Sequence, residues 1–180
     1  MRYAKLLVIV IAAATGGSAQ DEGMIPRWQV EDLASDIVKN VETAQTVVRA
    51  LRPEVWVARG APAVYTEQHS TLLHEMEQVK LAAAALARQP ERLTYAVDAF
   101  LWLDRVEALI GSVSGAVRRY HNSAIADLLD SARNRNANGI ALLKQYTRQL
   151  AAHVEESMEV AHREAQRCRS AIISRPPEGR

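Results

Sequence analysis

Cysteine is all but missing from this chain: Cys168 is the only one in 180 residues. An internal disulfide is therefore impossible, and stability has to come from packing. A surplus of one charge sign is missing too. Lysine and arginine number 22 against 21 acidic residues, and no basic cluster is dense enough to grip phosphates, so nucleic acid is not an expected partner. The nearest basic pair, Arg118-Arg119, closes a helical stretch, where cations suit the carbonyl end of the helix dipole. No apolar run reaches the roughly 20 residues needed to cross a bilayer. Strand-like alternation of useful length is lacking, as are a G-x-S-x-G nucleophile turn and a glycine-rich phosphate loop. These gaps remove the commonest routes to catalysis, and no enzyme activity is expected.

What is present begins with a leader. Arg2 and Lys5 precede an apolar run from Leu6 to Thr15, and Gly17-Ser18-Ala19 places small residues just before Gln20. This is the layout of a secretory signal peptide, residues 1–19, removed by cleavage. No cysteine follows the run, so a lipid anchor is not expected. Losing Arg2 and Lys5 moves the formal charge from +1 to −1. Export implies a periplasmic or secreted location with no stable membrane span after cleavage. In an oxidising compartment Cys168 reads either as an intermolecular disulfide or reactive thiol, or as a small buried hydrophobe.

The rest of the chain is long enough for one domain with a sizeable core. A flexible stretch is expected at 20–29, a single helical domain over 30–173 and a disordered tail at 174–180. Apolar residues recur at threes and fours, the helical period. The first helix carries Val30, Leu33, Ile37, Val41, Ala44, Val48 and Leu51, and stops before Pro53. The second starts near Pro62 with the stripe Leu72, Met76, Val79, Ala83 and Leu86. The third, about 91–120, has apolar residues round much of its circumference, which predicts a central position among the others.

The fourth stripe runs from Ile125 through Leu129, Ala132, Asn136, Ile140, Leu143, Thr147, Leu150, Val154, Ser157, Ala161, Ala165 and Cys168 to Ile172. Its phase survives the weak helix formers between Asn134 and Gly139. One continuous helix over about 123–172 follows, with a bend near Gly139 left open. The expected fold is all-α: an antiparallel four-helix bundle with that long C-terminal helix. At 1.5 Å per residue the last helix is roughly 70 Å long and the third only about 45 Å. Some of the long helix must therefore find cover elsewhere. The first helix sliding along it is the favoured solution, and a homodimer the alternative.

Between the first two helices lies an apolar connector, "RPEVWVARGAPAVY", with Trp56, Gly60 and Tyr65. It is expected to plug one end of the core, with Gly60 taking a positive φ, rather than to bind a ligand. The "WVARGAPAVY" connector, the long helix pair and the "EAQRCR" ending resemble a group of exported, all-helical bacterial proteins. The resemblance covers most of the chain after the leader. It implies export and helices, and assigns no activity and no site residue.

Candidate chemistry is thin. A bundle di-metal site needs two inward Glu-x-x-His pairs. Here there is one, Glu159 with His162, and both lean outward from the stripe, with Glu159 expected to pair with Arg163 instead. His74 and Glu77 form the reversed spacing, with His74 on the outer face. His69 lies on an apolar stripe and reads first as a boundary residue, then as a ligand. Trp56, Tyr65 and His69 are thus the candidates for an end cap or a binding site, no cofactor or metal is expected, and a protein partner or homodimer is. The expected function is an exported scaffold or partner-binding protein acting through helix–helix contacts. The alternative is a periplasmic bundle that binds a small molecule, haem or metal.

Overall fold

The structure, a computed structural model, describes residues 24–173; the leader at 1–19, residues 20–23 and the tail at 174–180 lie outside the described residues. Five helices follow one another: α1 (Arg27–Arg49), α2 (Pro53–Val57), α3 (Val64–Arg88), α4 (Leu93–Tyr120) and α5 (Ser123–Ile173). The fold is an all-α bundle. The four long helices run alternately up and down, and α1, α3, α4 and α5 form a ring in which each packs on its two neighbours. Among the described residues no helix is long and apolar enough to cross a membrane.

The helices form where the threes-and-fours spacing placed them, and the stripes become the core. Val30, Ile37, Val41, Ala44 and Val48 of α1 are buried, as are Leu72, Met76, Val79, Ala83 and Leu86 of α3. Each fully buried Leu, Val or Met side chain contributes about 1.5–3 kcal/mol by leaving water. α4 is central only in being flanked by α3 and α5. It is not enclosed: Leu101 is exposed and Trp102 half-buried on its outer side. Its broad apolar cover exceeds what two neighbours can bury.

α5 is a single 51-residue helix, about 76 Å long at 1.5 Å per residue, against 28 residues and about 42 Å for α4. Asn122 caps its start, its Oδ1 accepting from the Ala124 amide at 2.8 Å. No break occurs at Gly139. That glycine lies where α1 crosses closely: a β-carbon there would sit 3.6 Å from Ile37 Cγ1 and 3.7 Å from Leu33 Cδ1.

Buried or half-buried polar pairs set the register between helices. Gln45 of α1 is buried; its amide donates to Glu77 at 2.7 Å and accepts from Lys80 at 3.0 Å, tying α1 to α3. Between α4 and α5 the Ser114 hydroxyl lies 2.6 Å from Asp130 Oδ1, and Arg118 bridges Asp127 at 2.8 Å and Asp130 at 2.7 Å. At the opposite end of the bundle the buried Tyr146 hydroxyl donates to the Pro90 carbonyl at 2.6 Å, which fixes α5 against the α3–α4 turn. Burial raises the Tyr146 pKa, with Glu91 nearby adding to the effect.

The expectation that the first helix slides along α5 to cover its far end is overturned. α1 begins at Arg27, and just before it the Ile25 amide donates to Gln149 Oε1 at 3.3 Å. The connector that was to permit sliding instead folds into α2 and is pinned in place, so α1 is held level with α3. Beyond Val154 every described residue of α5 is exposed.

Two outcomes follow. Gly139→Ala adds helix propensity and meets only ordinary van der Waals contacts, so it should stabilise the protein by about 0.5–1 kcal/mol and raise Tm by about 1–4 °C, read by thermal circular dichroism; a lowered Tm would contradict the packing at this crossing. Asp130 is held below its ordinary value of 3.8 by the Ser114 hydroxyl and then by Arg118. A depressed folded-state pKa gives stability that is complete above the unfolded value and lost as pH falls through the folded one. Asp130→Asn should therefore lower stability at neutral pH and shrink the loss below about pH 4. Urea unfolding at neutral and acid pH measures both.

Candidate functional site

Two places bring together the residues that could act on something outside the chain: the plugged end of the bundle, and the bare end of α5.

At the plugged end, Pro53 opens α2 at its first position, where the missing N–H costs nothing. α2 closes at once in a Schellman turn: the Gly60 amide donates to the Val57 carbonyl and the Ala61 amide to the Trp56 carbonyl, both at 3.0 Å. Gly60 takes a φ of 96°, the left-handed conformation such a turn demands. Trp56 is left 3% exposed and stacks on the His121 ring, centroids 5.9 Å apart, over the α4–α5 turn. Tyr65 is half-buried and tilts against Tyr120 at 6.0 Å. His69 is half-buried, with Nε2 2.9 Å from the Val48 carbonyl near the end of α1, which also accepts from the Leu51 amide at 3.0 Å. The three candidates therefore lie on one end of the molecule, each committed to a neighbour within the chain. The aromatic surface is a lid.

His74 is exposed on α3, and Glu159 and His162 are exposed on α5, as the helical wheel placed them; Glu77 is half-buried against Gln45. Glu159 and Arg163 do not form the expected ion pair. Among the described residues no group of three or more His, Cys, Asp or Glu is placed to hold a metal ion. Cys168 is exposed, not a buried hydrophobe, because the helix face it occupies has no neighbour. Of the polar residues in the α5 stripe only Asn136 is buried, and neither of its amide atoms meets a hydrogen-bond partner in the chain. Thr147 donates back to the Leu143 carbonyl at 2.7 Å, and Ser157 is exposed.

One buried charge was not singled out from the sequence. Glu75 of α3 is 2% exposed and pairs with Arg105 of α4, whose guanidinium also lies over the Trp102 ring at 5.3 Å. Its second oxygen, Oε2, has no partner. Glu75 lies three residues after Leu72 and four before Val79, so the helical period turns it inward, and Arg105 on α4 supplies the partner its carboxylate needs.

The bare end of α5 is the other place. From Glu155 to Ile173 the helix stands clear of the bundle. Met158 is 68% exposed and Ile172 74%, with Val160 and Ile173 also open to water. At its foot Met24 lies beside Gln149, Ala152, His153 and Glu156.

If Trp56 is a core plug, Trp56→Ala should cost about 3–5 kcal/mol in denaturant unfolding, the usual penalty for emptying a buried aromatic site. An unchanged midpoint would return the residue to the ligand-binding candidates. Comparison with protein families, with curated proteins and with solved structures returns no match for this chain.

Proposed function

We propose that the protein is an exported helical scaffold that binds partner chains through helix–helix contact and performs no catalysis. The observation that carries this reading is the free end of α5. A globular protein rarely leaves a helix of some 20 residues without tertiary contacts, because an isolated helix of that length is only marginally stable in water. Here the apolar stripe continues along it as Ala161, Ala165, Cys168 and Ile172, in phase with the part that is buried lower down. A stripe in register with a core but without one fits a surface completed by another helix.

The bundle itself supplies the platform. Polar pairs described above tie its neighbouring helices together, and its connector end is closed by Trp56. Export would place the docking helix outside the cytoplasm, consistent with the layout of the first 19 residues.

Among the described residues, ending the chain at Val154 removes only exposed ones. The melting temperature should stay within a few degrees of the full protein, a change of about 1 kcal/mol or less. Cross-linking in intact cells followed by affinity isolation should recover partners with the full chain and lose them with the shortened one. Equal recovery from both forms would rule out α5 as the docking element.

A further inference from the structure

The free stripe of α5 has a symmetry that names its partner. From the last buried position, Leu150, it steps through Val154, Ser157, Ala161, Ala165, Cys168 and Ile172 at intervals of 4, 3, 4, 4, 3 and 4. The series reads the same in both directions about Ala161. Its mean step, about 3.7 residues, is that of an eleven-residue repeat, which winds paired helices into a slight right-handed supercoil. A helix whose stripe is a palindrome fits an antiparallel copy of itself about a two-fold axis: Val154 and Ser157 would meet Cys168 and Ala165, and Ala161 its own copy, while Leu150 is already buried in its own bundle.

The charges carry the same polarity. Between Val154 and Ala161 lie Glu155, Glu156 and Glu159 with no lysine or arginine. Between His162 and Ile173 lie Arg163, Arg167 and Arg169 with Glu164 as the only acid. None of these three glutamates and three arginines has an ion-pair partner within the chain among the described residues. Two parallel copies in register would set acid on acid and arginine on arginine. Two antiparallel copies set the acidic half of each along the basic half of the other.

We propose that the α5 overhang is an antiparallel homodimer interface centred on Ala161, with Val154 of one copy opposite Cys168 of the other. This rests on the docking role given to α5 above and assigns the docked helix to a second copy. Ala161 and Ala165 leave room for close approach. The tip at Ile172 and Ile173 comes level with Gln149 and Leu150 of the opposite copy, where exposed Met24 offers an apolar seat. The two Cys168 residues lie seven positions either side of the axis, about 21 Å apart along the helix, too far for a bond between them.

The full chain tests this through thiol pairing and charge reversal. Light scattering should show a dimer. Under mild oxidation the wild-type protein should form no Cys168–Cys168 bond, whereas Val154→Cys should form a covalent dimer whose linked peptides join positions 154 and 168. Glu155→Arg with Glu156→Arg should weaken association roughly tenfold to hundredfold, and adding Arg167→Glu with Arg169→Glu should restore it. A wild-type Cys168–Cys168 dimer means parallel pairing and overturns the proposal. So does a monomer with a free thiol at position 154, the result expected if residues 1–23 or a different protein cover the stripe. A monomer that still loses a partner on ending at Val154 defeats self-pairing alone and leaves the scaffold reading standing.

Discussion

The unbroken helical phase of α5 is the constraint on which the rest of the molecule depends. Because the stripe keeps one face over its whole length, the lower half can serve as a wall of the bundle for α1 and α4 together. The upper half carries the same face beyond them. Every other long helix is cut to the length of the shared core: α1 at Pro26 and Pro53, α3 at Pro90, α4 at the Asn122 cap. A break at Gly139 would have let the chain turn back and bury its own stripe. The helix holds there because α1 packs Leu33 and Ile37 against the glycine.

Much of this was legible in the residues. The stripes of α1 and α3 came out buried nearly position for position, since a 3.6-residue period states which face turns inward. The connector was legible for another reason: valines, prolines and a tryptophan are costly in a solvated loop, and an aromatic of that size is mostly found covering a core. Harder to read was how far one helix slides against another. That offset is set by pairs such as Gln45 with Glu77 and Ser114 with Asp130, which join residues distant in sequence and leave no mark on spacing. The idea that the first helix shields the end of α5 failed on this point. The folding of α2 into a helical turn was missed also, and with it the shortening of a connector that looked free to stretch.

The candidate site was legible in part. His69, Trp56 and Tyr65 were singled out together, and they do share one end of the bundle, yet each is spent on a neighbour: a carbonyl, His121 and Tyr120. Spacing identifies a face and says nothing of what opposes it. Glu75 was not singled out. A carboxylate buried between α3 and α4 shares the face of Leu72 and Val79, but its partner Arg105, 30 residues away, leaves no mark on α3. The free end of α5 lies between these cases, since its excess length followed from counting residues and its bareness did not.

The order of packing round the ring has a further consequence. α3 rests on α1, α4 on α3 and α5 on α4, each the next long helix along the chain, and only the α1–α5 contact joins segments remote in sequence. Local closures of this kind cost little chain entropy, and topologies rich in them reach the native state quickly. The bundle can therefore grow by successive hairpins as the chain becomes available, with the seam beside Gly139 the last to close.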